Sequence, residues 1–99
     1  MPVVHLVCLR LDAKADAAAV FAELAALRGV IPGLLSFSGG AQTSTEGLGS
    51  FTHAFSMTFA DAAARDAYLP HPEHTRVKAL VVAALAPGES VAVVDYEVA

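Results

Sequence analysis

Residues 51–59, Phe51-Thr52-His53-Ala54-Phe55-Ser56-Met57-Thr58-Phe59, alternate strictly along their length. Phe51, His53, Phe55, Met57 and Phe59 fall on one side; Thr52, Ala54, Ser56 and Thr58 fall on the other. Successive side chains of a strand point to opposite faces, so this stretch predicts a β-strand with one heavily apolar face. Downstream, Asp61 is placed to cap a short helix through Tyr68, which Pro70 ends. Pro72 suits the first turn of a further helix to about Leu85, stopped by Pro87-Gly88. Residues 90–98 then predict a last strand. Upstream, the β-branched and aliphatic residues 3–11 predict a first strand that Asp12 ends. Residues 13–29 predict a helix, with Asp16 as its cap, Val20, Leu24 and Leu27 as its buried stripe, Phe21 on the flank and Gly29 as its stop. Ile31-Pro32-Gly33 marks a turn. Residues 34–42 predict a second strand in which Gly39-Gly40 marks a bulge or bend, and residues 43–50 a polar loop.

The order is β-α-β-β-α-β, with the second helical region broken in two. It predicts an α+β, ferredoxin-like protomer: a four-stranded antiparallel sheet with its helices on one face. The 99 residues make one domain, 1–99, with no room for a second core. Such a sheet leaves its other face bare, yet both sides of the first and last strands are apolar. Val3, His5, Val7 and Leu9 oppose Val4, Leu6 and Cys8; Val91 and Val93 oppose Ala92, Val94 and Tyr96. That is the pattern of a sheet buried twice. Helices cover one side, and a second copy of the chain is the economical cover for the other, so a homodimer with sheet-to-sheet packing is expected.

Composition narrows the partners. Hydrophobic residues make up 56% of the chain and charged ones 16%, which excludes disorder. No apolar run approaches the roughly 20 residues of a membrane-spanning helix. The opening Met-Pro-Val-Val-His has no basic segment before an apolar stretch, so no signal peptide is expected. One cysteine, Cys8, permits no internal disulfide and fits a cytoplasmic location. A net charge of −4 with six Lys and Arg argues against nucleic acid and anionic membranes.

The four histidines fall in two places. His5 and His53 lie on two strands that this fold makes central neighbours. Buried imidazoles are costly without hydrogen bonds, so each reads either as a satisfied core histidine or as part of a site. His71 and His74 sit in Tyr68-Leu69-Pro70-His71-Pro72-Glu73-His74. His71 can serve simply as a helix cap, and Tyr68 as a core aromatic. The His-x-x-His spacing can also hold a metal, but two ligands do not make a site, and no cofactor or metal is expected.

These residues carry a resemblance. His5-Leu6-Val7, Ile31-Pro32-Gly33, Phe51-Thr52-His53, Tyr68-x-x-His71-Pro72-x-His74 and Val94-Asp95-Tyr96 resemble the stress-responsive α/β-barrel (Dabb) family of dimeric α+β barrel proteins from about residue 3 to residue 97. The resemblance implies two sheets packed face to face in a homodimeric barrel. Its olivetolic acid cyclase-type polyketide cyclases, which promote an intramolecular aldol condensation without a cofactor, imply Tyr68 and His74 as catalytic residues. They also imply His5 and His53 in a pocket between sheet and helices. A histidine can take a proton from carbon activated by carbonyls, and a tyrosine hydroxyl can steady the oxygen where charge develops. Val7, Leu9, Val20, Phe21, Leu24 and Phe55 would line the apolar part, and His71 is a further substrate-binding candidate. The alternative is a non-catalytic stress-response barrel binding a small apolar ligand. Haem-degrading or cofactor-free monooxygenases share the barrel, but no residue constellation here favours them.

Overall fold

The computed structural model describes residues 1–47 and 49–99. Four strands form one antiparallel sheet in the order β2-β3-β1-β4: β1 Val3–Leu9, β2 Leu34–Ala41, β3 His53–Phe59 and β4 Val91–Glu97. The helices are α1 Ala17–Ala26, α2 Ala62–Tyr68 and α3 Pro72–Ala84, and a 3-10 turn, Leu27–Gly29, follows α1. The protomer is therefore the α+β, ferredoxin-like arrangement that the pattern predicts. Among the described residues no helix is long and apolar enough to cross a membrane.

Local chemistry sets the ends of these elements. The first helix starts at Ala17, later than residue 13, because the Asp16 carboxylate accepts from the Ala19 amide at 3.0 Å. The Asp12 carboxylate instead accepts from Lys14 and holds residues 12–15 in a turn. The Asp61 carboxylate caps α2 through the Ala64 amide at 2.8 Å. The first strand stops at Leu9, short of Leu11, which makes only an isolated bridge to Leu85. Phe51 and Thr52 precede β3 rather than belonging to it; the Thr52 hydroxyl accepts from the Leu11 amide at 3.0 Å. The polar loop expected over residues 43–50 includes Leu48, which lies outside the described residues.

The irregularity of β2 falls between Leu34 and Ser36, not at the glycine pair. Gly39 has a different use: a Cβ there would come within 2.5 Å of the Phe21 ring and 2.8 Å of the Phe55 Cβ. The missing side chain lets an aromatic from α1 lie on the strand backbone.

One face of the sheet meets the helices. Val3, Val7 and Leu9 of β1 and Phe55, Met57 and Phe59 of β3 are buried there, against Leu24, Leu27, Tyr68 and Val77. The opposite face of β1 and β4 is open. Leu6, Val94 and Tyr96 are 36%, 57% and 52% exposed, and Cys8 is half-buried among them. The outward residues of β2 and β3 are small and polar by contrast, with Ser38 and Ser56 bonded across the strands at 3.2 Å.

Candidate active site

Between the sheet and α3 lies a cavity of about 280 Å³, at the small end for ligand pockets. Val7, Leu9, Leu24, Phe55, Val77 and Val81 make its apolar wall. His5, Tyr68 and His74 bring polar atoms to it, and Leu69, Lys78 and Val82 stand toward its rim.

The histidine in α3 is held by its own helix start. His74 Nδ1 donates to the Leu69 carbonyl at 2.9 Å, which leaves the lone pair on Nε2 in the neutral ring. Its ring lies against Tyr68 with centroids 4.0 Å apart and planes inclined by 37°. Burial lowers the His74 pKa; the Leu69 bond opposes that fall, and the charge of Lys78 adds to it. The imidazole is thus kept as a base near neutral pH.

Tyr68 is 2% exposed, and burial pushes its phenol up to about 12. It therefore keeps its proton and stays a donor at neutral pH. The native state holds that proton to about 12, whereas the unfolded chain releases it near the reference value of about 10. The resulting stability is complete below about 10 and is lost as the pH rises through about 12. In an ultraviolet absorbance titration, Tyr68→Phe should remove a phenolate step near 12; an unchanged alkaline titration would contradict this environment.

His5 reaches the cavity from β1. The strand register sets His5 opposite Asp95 of β4, and His5 Nδ1 donates to the Asp95 carboxylate at 2.7 Å. Arg65 of α2 donates to the other oxygen of Asp95 at 3.0 Å. A carboxylate that accepts from Nδ1 fixes the tautomer and leaves Nε2 on the far side of the ring. The His5 and Tyr68 centroids are 6.0 Å apart, nearly edge to face.

The structure thus brings together His5, Tyr68 and His74 with Val7, Leu9, Leu24 and Phe55. It places the remaining expected residues elsewhere. His71 caps α3, its Nδ1 accepting from the Glu73 amide at 3.1 Å. His53 bonds to Thr52 at 2.8 Å and faces Phe21 with centroids 5.6 Å apart. It belongs to a second depression of about 530 Å³ beside Cys8, Gln42 and Phe51. Phe21 fills the space over Gly39, and Val20 belongs to the core. The reason is register: His53 pairs with Leu9, at the far end of the sheet from the Tyr68 corner, where Val3 pairs with Phe59. Among the described residues no three His, Cys, Asp or Glu side chains are grouped to hold a metal ion.

Asp95, Arg65 and Lys78 were not anticipated as site residues. Asp95 had a signal: it is the one carboxylate between Val91 and Val94 on one side and Tyr96 on the other, in step with Val91 and Val93. Arg65 and Lys78 read as ordinary solvent-facing helix residues.

A family model described as "Stress responsive A/B Barrel Domain" matches residues 3–98. Among solved structures, the chain is similar to a dimeric ferredoxin-like protein of unknown function from Jannaschia sp. CCS1, with 33% identity, 99% of this chain and 100% of that chain covered, and a TM-score of 0.83. A protein from Arabidopsis thaliana is 25% identical, with 98% and 95% covered and a TM-score of 0.87. A hydroxynitrile lyase from Passiflora edulis, 20% identical with 96% and 91% covered and a TM-score of 0.83, shows likeness of fold alone. No match is found among curated proteins.

Proposed function

The chain belongs to the stress-responsive A/B barrel domain family, and from that membership and the geometry of its cavity we propose a cofactor-independent, aldol-type cyclase acting on a small oxo compound with an apolar tail. The observation that carries the reading is the Tyr68–His74 pair, a protonated phenol stacked on a neutral imidazole at an apolar cavity. His74 Nε2 takes a proton from a carbon next to a carbonyl. The Tyr68 hydroxyl donates to that carbonyl oxygen as negative charge gathers there. The carbanionic carbon attacks a second carbonyl of the same molecule, one carbon–carbon bond forms, and the new alkoxide takes the proton back from His74. That bond closes the ring; loss of the new hydroxyl with a proton from the adjacent carbon, as water, then gives the double bond, and enolisation makes the ring aromatic. His5, oriented by Asp95, is a second hydrogen-bonding group for the chain of carbonyls. This sequence of steps involves no net oxidation or reduction.

The test uses a linear heptane-trione, whose closure and dehydration give a methylresorcinol. Formation of that product faster than in buffer supports the cyclase. Saturable binding of the triketone without product would replace it by the non-catalytic, ligand-binding reading.

The active form on this reading is a homodimer in which the bare sheet faces pack together in a cytoplasmic protein. Exposed Leu6, Val94 and Tyr96 support it, as do dimeric relatives of the same fold. Leu6→Asp would set one carboxylate from each copy into that apolar face, where burying each unpaired charge is costly. It should convert the dimer to a monomer in sedimentation velocity; a dimer that persists would mean that the copies meet elsewhere.

A further inference from the structure

We propose that the cavity's ligand is an acid: an aliphatic oxo-carboxylate whose carboxylate is seated on Lys78 at the mouth while its apolar tail lies within. The inference rests on the cavity's being a ligand site, and it adds the chemical class of the head group and the residue that selects it.

Lys78 stands four residues after His74 in α3, so both project from one side of the helix. They line the same cavity as Tyr68. Among the described residues Lys78 is in no ion pair. Asp95 of β4 already accepts from His5 and Arg65. Leu69, Val82, Val91 and Val93, from 45% to 57% exposed, line the same cavity as Lys78. Among the described residues the exposed Lys78 ammonium makes no hydrogen bond, so its donors are free to meet a ligand. In a chain of net charge −4, the general field repels anions, so a local cation at this mouth is what admits one.

Distance then limits the ligand. One helical turn and a little more, roughly 6 Å along the axis, separates His74 from Lys78. A carboxylate seated at Lys78 would therefore stand one turn of α3 from His74, with the carbon that gives up its proton toward the acid end. The remainder of the chain reaches toward Leu24 and Val81. A free oxo acid meets this geometry, whereas a thioester of the same chain offers no charge to Lys78.

The test is calorimetric titration of the intact protein with octanoate, octanol and octylamine. A charge-assisted hydrogen bond predicts that octanoate binds roughly tenfold more tightly than octanol. Lys78→Gln, a good helix former on an exposed site, should bring octanoate to the level of octanol. Lys78→Arg should keep the preference, and Lys78→Glu should transfer it to octylamine. Octanoate no better than octanol on the native protein, or an undiminished preference in Lys78→Gln, overturns the acid class and leaves the apolar cavity standing. Failure of all three alkyl probes overturns the cavity reading and this inference with it.

Discussion

Replacing His74 by alanine should lower the rate of ring closure by roughly 10²–10⁴-fold, the usual contribution of a positioned general base. The fold should survive, because His74 is half-buried at a rim and its one hydrogen bond goes to the Leu69 carbonyl of the adjoining turn. Circular dichroism and the dimer mass should match those of the parent. The pH profile supplies a second reading. Burial lowers the His74 pKa, so the neutral, proton-accepting ring persists to lower pH than an ordinary histidine near 6.5. The acid limb of the parent should lie below that value and vanish in His74→Ala. Unchanged turnover in the variant, with product still formed faster than in buffer, would remove His74 from the mechanism.

Phe59→Ala should cost about 3–5 kcal/mol of stability, the range for a fully buried aromatic truncated to alanine. Phe59 is 0% exposed and sits on β3 between two structures that depend on it. Its ring lies 5.1 Å from that of Tyr68 and 6.4 Å from that of His5. No backbone rearrangement can close the void readily, because Phe59 pairs with both Val3 and Leu34 in the sheet. Chemical denaturation measures the loss, and a cost under about 1 kcal/mol would mean that the corner relaxes freely. Relaxation of the Tyr68 ring into the void would also slow turnover in molecules that remain folded.

Much of the architecture is legible in the sequence because a few residues punctuate it strongly. The alternation through Phe55, Met57 and Phe59 can only serve a one-sided buried strand, and Asp16, Asp61 and Pro72 mark three helix starts by their capping chemistry. Periodicity also assigned Leu6 and Val94 to the face opposite His5, since a strand allows no other choice. The site was less legible. Tyr68 and His74 are close in sequence and meet through local helix geometry. Whether His53 joins them depends on register along β1 and β3, which side-chain alternation does not determine. A pattern of period two says which face a residue takes and nothing about how far along the sheet it stands. The partnership of His5, Asp95 and Arg65 draws on three elements separated by most of the chain. The Gly39-Gly40 pair misled for a related reason: glycine permits a bulge, but here it makes room for Phe21, a neighbour no local reading contains.

The bond between His5 and Asp95 joins a central strand to β4, which in the protomer is hydrogen-bonded along one side only. Edge strands open locally at lower free energy than the strands they flank. Each such opening parts the imidazole from its carboxylate and releases the tautomer that the pair selects. The fraction of molecules holding the His5–Asp95 bond at any instant then follows an equilibrium of backbone fraying, some distance in sequence from Tyr68 and His74. Amide exchange along Val91–Glu97 would therefore act as a clock for the readiness of His5, slowing whenever a ligand or a second copy pins the edge.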